Sequence, residues 1–450
     1  MGGEKINKIR NEEFKIWKKA VPSLYHHIST FKPPYTTYFE SVEKIPKAVA
    51  FTHKIAPHKE SGTMAASMLC SQGSDIYEIE FQLPLGLHAP NENLKDPQYG
   101  ASFAKVVNNG KLEPKWTYQG ETVTKIEYVG GSLADAVVMT ASGSLAWFKE
   151  DCKVPVFVME ELRGPSTSFS RIHDQGQSLA VNVDFAVSEN VETLVKSQQS
   201  MASGQQDEHS LLKVVDNAQT PGRPIRTIPV PRTSVTQAIR FLDNHMFCTL
   251  SDDSTIRFYD LRGDGKPLWS MADPHDGKLL CLDVSPMIES MFITGSDTGT
   301  LKLWDLRTII ACIENKEEPI EIAKVFHSAA DPVVDVKFGI SSPAEILSVG
   351  VSGNVYHWDL EPIFLQENAE GDEIMDAEEL QQQCLRFIHT GGGRRQAEFY
   401  SQRETVAWHP LISGVVGCVD PDGLLTVYKG FLGKEADSGS VSENEGDAQV

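Results

Sequence analysis

The sequence predicts an all-β fold, a seven-bladed β-propeller, with an N-terminal helix and a disordered acidic C-terminal tail. Three observations predict it. The segments SDDSTIRFYDLR (251–262), GSDTGTLKLWDLR (295–307) and GVSGNVYHWDL (350–360) each join a polar Gly/Ser/Asp turn to an alternating strand that ends in an aromatic and an aspartate. Weaker copies of the same unit occur at 72–81, 141–150, 210–217 and 421–430, so the strand ends fall near residues 81, 149, 216, 260, 305, 359 and 429. Finally, a ring of seven blades of about 40–45 residues with insertions fits a chain of this length.

Each element follows from its residues. Alternation puts every second side chain against the neighbouring blade, as a half-buried strand requires. The terminal aromatics Tyr259, Trp304 and Trp358 are expected to fill the space between blades. LLCLDV (279–284), VVDVKF (333–338) and TVAWHP (405–410) read as inner or middle strands preceding the marked ones. His327, ahead of VVDVKF, stands where a Gly-His turn is expected in this repeat class. The repeat resembles that of WD proteins, and its aromatics and turn aspartates are expected to serve chiefly packing and hydrogen bonding.

Three segments depart from the blade pattern. NEEFKIWKKAV (11–21) predicts a helix: Asn11 suits the N-cap, Glu12 and Glu13 suit the helix dipole, and Phe14, Trp17 and Val21 share a face, with Pro22 as the stop. So short a helix must dock its apolar face on something. ENAEGDEIMDAEE (367–379) predicts an acidic insertion between the sixth and seventh blades, with Glu370, Asp372, Glu373 and Asp376 among its carboxylates. The tail after 432 is almost devoid of apolar residues and predicts disorder. The expected units are therefore a helix and arm (1–30), the propeller (31–432) and the tail (433–450).

Composition narrows the function. The net charge of −21 argues against direct nucleic-acid binding, which needs a basic face, and favours basic protein partners. No apolar run is long enough for a membrane span, and the first residues, MGGEKINKIR, lack a secretory pattern. The seven cysteines are too widely spaced for a zinc or redox pair and read as buried, reduced thiols. GSDTGT (295–300) lies between strands and so is not a phosphate cradle. Gly391, Gly392 and Gly393 with Arg394 and Arg395 read as an interblade loop, and DPDG (420–423) fails as a calcium loop because Phe431 would be its twelfth residue. No metal set and no catalytic motif is visible, so no cofactor is expected and nothing proposes an enzyme. The Asp-Leu-Arg ends at 260–262 and 305–307 resemble a ubiquitin-ligase adaptor box, a triplet also common at blade ends for structural reasons.

NEEFKIWKKAVPSLY (11–25) resembles the N-terminal helix of the retinoblastoma-associated histone-binding WD proteins, and the acidic insertion followed by LRFIH (385–389) sits where that family has its acidic loop. That resemblance implies a side groove that takes a basic amphipathic histone helix. The chain departs from it in FKPPYTTYF (31–39), where a Trp-Pro-Ser segment is expected, and in lacking paired prolines in the acidic loop. A fuller resemblance covers nearly the whole chain. CSQGSDIYEIEF (70–81), YQGETVTKIEY (118–128), GSLAWFKEDCKVPV (143–156) and EELQQQCLRFIHTGGGRR (378–395) are similar to the budding-yeast WD-repeat transcriptional modulators, which include a meiotic-gene repressor.

This resemblance implies a non-catalytic subunit of a nuclear class I histone deacetylase co-repressor, repressing transcription of genes that include meiotic ones. A histone-binding chaperone and a nuclear anchor for the ribonucleotide reductase small subunit are the alternatives. Expected partners are deacetylase-complex subunits and histones; the expected location is the nucleus, with the cytoplasm as a second compartment. The expected contact residues are Asn11, Glu12, Glu13, Phe14, Trp17 and Lys18 of the helix and Glu370, Asp372, Glu373 and Asp376 of the insertion. The helix face that would recruit the complex could equally pin the N-terminus to the propeller.

Overall fold

Alternating strands need partners along their edges, and here they find them within seven sheets, antiparallel but for one pair, arranged as consecutive blades. The computed structural model describes residues 12, 15–31, 47–58, 62–88, 103–105, 113–161, 183–201, 208–230, 234–272, 277–366, 377–391, 403–420 and 423–431. The third strands are Asp75–Pro84, Leu145–Phe148, Glu208–Asp216, Thr255–Asp260, Thr300–Asp305, Val355–Asp359 and Leu425–Gly430. All seven predicted blade ends fall in these strands or one residue beyond. Leu279–Val284, Val333–Phe338 and Val406–Trp408 are the inner strands of blades five, six and seven.

Apolar side chains from adjacent sheets meet between blades and form the core. Tyr259 stacks on Phe247 at 5.1 Å, facing blade three, and Trp304 stacks on Phe292 at 6.3 Å, facing blade four. Trp358 lies in the cluster shared by blades five and six. The polar turn residues are consumed in holding these aromatics. In blade six the Trp358 indole donates to Ser348 Oγ at 2.8 Å, and His327 Nε2 meets the same oxygen at 2.6 Å. His327 Nδ1 bonds the carbonyl of Asp331 at 2.9 Å, and burial drives the ring's pKa down to about 3, so it stays neutral. His327 thus fills the turn position expected of it.

The ring closes with both ends of the chain. Blade seven takes three strands from the C-terminal region, while its fourth, Tyr25–Phe31, comes from the N-terminal side and runs antiparallel to Leu425–Gly430. Residues 25–30, expected in a separate arm, therefore belong to the propeller. Two further expectations are corrected. The helix does not stop at Pro22: residues 15–24 are helical and lead directly into the closing strand. Proline is costly inside a helix; here it falls in the final turn, where buried Val21 and half-buried Leu24 dock on the blades. The acidic insertion lies not between blades but inside blade six, between Val355–Asp359 and Leu385–His389, and its last three residues begin a helix, Ala377–Cys384. Another helix that periodicity did not reveal, Leu306–Asn315, follows the third strand of blade five; Asp305 caps it by accepting from the Arg307 amide at 2.9 Å.

Candidate functional site: the seam of blades six and seven

The N-terminal helix docks through residues three and four apart. Trp17, Val21 and Leu24 face a cluster that includes Val355 and Phe387 of blade six and Val406, Val416 and Tyr428 of blade seven. Val21 is fully buried, Trp17 is half-buried, and the Trp17 ring meets Tyr25 edge-on at 6.1 Å. Trp17 is thus used to hold the helix to its own domain. The opposite face carries exposed Glu12, Lys15, Ile16 and Lys18, with Ile16 68% accessible. Glu12 pairs with Lys15 at 2.8 Å; both side chains are well exposed, so the pair adds little stability and yields readily to a partner's charges. Asn11, Glu13 and Phe14 lie outside the described residues, as do Glu370, Asp372, Glu373 and Asp376.

The N-terminal helix and the strand that follows the insertion meet at this seam. The helix Ala377–Cys384 runs from the insertion into the strand Leu385–His389, and that strand meets the root of the N-terminal helix. Tyr25 Oη bonds His389 Nδ1 at 2.8 Å, and the Tyr25 ring packs edge-on against Phe387 at 5.2 Å. His389 stacks on Tyr428 at 4.2 Å, and Tyr428 Oη bonds His357 Nε2 at 2.8 Å. Burial pushes His357 down to about 3, so it remains a neutral hydrogen-bonding ring. This aromatic and histidine chain was missed in the sequence because its members are separated by up to 403 residues, from Tyr25 to Tyr428.

A second constellation that the sequence concealed lines the central channel. Lys125, Asp184, Arg240, Asp335 and Glu404 come from five blades and meet at a cavity of about 40 Å³. Lys125 and Arg240 each approach Asp184 at 2.8 Å, Arg240 also reaches Asp283 at 3.1 Å, and Lys337 reaches Glu404 at 3.1 Å. The carboxylates also staple one inner strand to the next. Asp184 accepts from the Ile239 amide at 2.9 Å, Asp283 from the Phe338 amide at 2.8 Å, and Asp335 from the Glu404 amide at 2.9 Å. Burial raises the Asp335 carboxyl to about 6. Burial also opposes the charge of Glu404, but Lys337, Lys125 and Arg240 outweigh it and hold that carboxyl far below its ordinary range. Buried charges persist only when paired and hydrogen-bonded, and here both conditions are met.

The remaining motifs resolve into structure. Arg262 and Arg307 fold back on Asp260 and Asp305 at 2.7 Å, each pair closing its own turn. Asp420 accepts from the Leu424 amide at 2.8 Å and closes the DPDG turn. Six of the seven cysteines are buried and none of the seven is in a disulfide. Among the described residues, no three His, Cys, Asp or Glu side chains converge as a metal site, and no helix is long and apolar enough to cross a membrane.

Comparison with known proteins agrees with this architecture. Residues 261–305 match the family described as WD domain, G-beta repeat. Transcriptional modulators WTM2 and WTM1 of Saccharomyces cerevisiae are 44% and 42% identical to the chain, over 93% of it in both cases and 95% and 98% of their own lengths. The Saccharomyces cerevisiae transcriptional regulatory protein UME1 is 39% identical, over 96% of each chain. More distant is histone acetyltransferase type B subunit 2 of Candida glabrata, 20% identical over 93% of this chain and 88% of that one. A chain in a crystal structure of the mitotic checkpoint complex is similar in fold alone, with a TM-score of 0.50, 10% identity and coverage of 89% of this chain and 96% of its own. With relatives this similar over nearly their whole lengths, the chain belongs to the yeast family of WD-repeat transcriptional modulators.

Proposed function

We propose that this chain is a non-catalytic interaction subunit of a nuclear co-repressor built around a class I histone deacetylase, acting on genes that include meiotic ones. Full-length similarity to transcriptional modulators and to a transcriptional regulatory protein supports the transcriptional role. The observation that carries the interaction role is the docked N-terminal helix. Its inner face is spent on the seam of blades six and seven, while Glu12, Ile16 and Lys18 remain exposed on the outside. A rigid helix with an accessible mixed apolar and charged face suits recognition by a second protein. Glu13 and the acidic residues Glu370, Asp372, Glu373 and Asp376 belong to the same proposed surface. Glu12→Lys with Glu13→Lys, in the folded full-length chain, is expected to abolish co-purification with the deacetylase. Undiminished co-purification would remove the helix from the recruitment role.

Histone binding is a second reading, favoured by the seven carboxylates within residues 367–379. The distant likeness to a histone acetyltransferase subunit points the same way. Its signature would be binding of histone helices that weakens steeply with salt. Binding that is absent, or insensitive to salt, would dispose of it.

A further inference from the structure

The third strand of blade one, Asp75–Pro84, does not turn directly into the fourth. It continues into a short turn, Leu85–His88, through which Leu87 reaches blade seven. Leu87 is buried in a cluster with Ile412, Val415, Leu425 and Val427 of blade seven. Its carbonyl accepts from Lys429 Nζ at 3.3 Å, and Lys429 itself is buried. Further along, Phe103–Lys105 pairs in parallel with the middle of the closing strand, Ile28 opposite Phe103, Ser29 opposite Ala104 and Thr30 opposite Lys105. Among the described residues, blade seven is accordingly a sheet of five strands. The closing strand has the C-terminal strand Leu425–Gly430 on one edge and a segment of blade one on the other.

This placement has a physical consequence. The fourth strand of a blade is ordinarily its solvent-facing edge, a row of unpaired amides and carbonyls ready to pair with another chain. Here that edge lies on the strand that joins the two ends of the ring, and it is covered by pairing from the same molecule. A three-residue ladder is a low-stability element that opens locally at small cost. We propose that the outer edge of Tyr25–Phe31 is a strand-acceptor site whose resident occupant is Phe103–Lys105, and that this occupant latches the closing strand into blade seven. The ligand class is an extended peptide segment pairing in parallel. Because residues 15–24 lead into the closing strand without an intervening loop, the latch also steadies the helix. The proposal rests on strand pairing and on the Leu87 contact, and is independent of which partner the helix binds.

The test is the full-length variant F103P/A104P/K105P, which removes every amide the segment can offer to a ladder whichever way it faces. Hydrogen exchange read by mass spectrometry is expected to be at least about tenfold faster over residues 25–31, with blade four (residues 236–260) unchanged. A synthetic peptide of residues 100–108 added to the variant is expected to restore protection over 25–31. Unchanged protection over 25–31 in the variant would overturn the latch. So would equally increased exchange in every blade, which is general destabilisation rather than local release. Failure of the peptide to restore protection would overturn the acceptor site.

Discussion

Replacing Asp184 by Asn tests whether the channel charges hold the ring together. Asp184 is buried, is approached by Lys125 Nζ and Arg240 Nη1 at 2.8 Å, and accepts the Ile239 amide of the next blade at 2.9 Å. The amide side chain keeps the shape but removes the charge, leaving two buried cations short of a counter-ion. Breaking a buried pair by removing one partner costs about 3–5 kcal/mol. With an unfolding entropy of roughly 2 cal/mol/K per residue, a chain of 450 residues has about 0.9 kcal/mol/K at its midpoint, so Tm falls by about 3–5 °C. The pH dependence supplies the sign. Burial opposes the Asp184 charge, but Lys125 and Arg240 outweigh it and hold the carboxyl below its ordinary value. Its stabilisation is therefore complete above the unfolded-chain value, about pH 4, and is lost as the pH falls through the folded one. Thermal melts of the wild type and Asp184→Asn from pH 7.5 to 3 are expected to differ most at neutral pH and to converge below about pH 4. A variant within about 1 °C of the wild type at pH 7.5, or a gap that does not change with pH, would refute the reasoning.

Other perturbations follow from the same geometry. Val21→Ala should cost about 2 kcal/mol from the lost burial, seen as faster exchange over residues 15–24. His357→Gln keeps a hydrogen-bonding side chain opposite Tyr428 while removing a titrating one. Above pH 6.5 folded and unfolded His357 are both neutral, whereas below it only the unfolded chain takes up a proton until about pH 3. Lowering the pH from 6.5 to 5 should therefore cost the wild type about 2 kcal/mol that the variant does not lose, visible as a flatter Tm profile. Gly299 has a φ of +79°, and a Cβ there would lie 2.9 Å from the carbonyl carbon of Ala330. Gly299→Ala should thus destabilise by about 1–3 kcal/mol, measured by thermal melt.

What the sequence made legible was whatever depends on neighbours along the chain. The third strands were visible because turn and alternation are local, and His327 was visible because its turn precedes an apolar strand at a recognisable distance. The channel was not legible. Lys125, Asp184, Arg240 and Glu404 look like ordinary polar residues in or just before short strands, and only closure of the ring turns them inward together. Nor was the origin of the fourth strand of blade seven legible, because the pairing of Ile28 with Tyr428 spans the whole ring and leaves no local trace. Pro22 misled for a different reason: docking of Val21 and Leu24 outweighs a local rule in the last turn of the helix. Of the expected contact residues, Glu12, Trp17 and Lys18 are described, and Trp17 proves to be half-buried against the domain itself.

These placements bear on where a transcriptional modulator of this kind can meet its partners. In blade six the polar residues of the repeat are already committed: Ser348 to Trp358 and His327, and Asp331 to the amide of Ser352. In the channel the charges are paired with one another and with neighbouring amides. Groups spent in this way are poor candidates for recognition, because freeing them for a partner would leave buried atoms unsatisfied. On the outer face of the N-terminal helix Glu12, Ile16 and Lys18 are exposed, and the exposed pair of Glu12 and Lys15 yields readily to a partner's charges. Yet the helix is rooted in the closing strand, so damage to Tyr25–Phe31 would weaken both the ring and the helix. A binding defect produced by substitution in the closing strand therefore says little about recognition. The same defect produced by Glu12→Lys with Glu13→Lys in a chain that melts like the wild type assigns the contact to the helix.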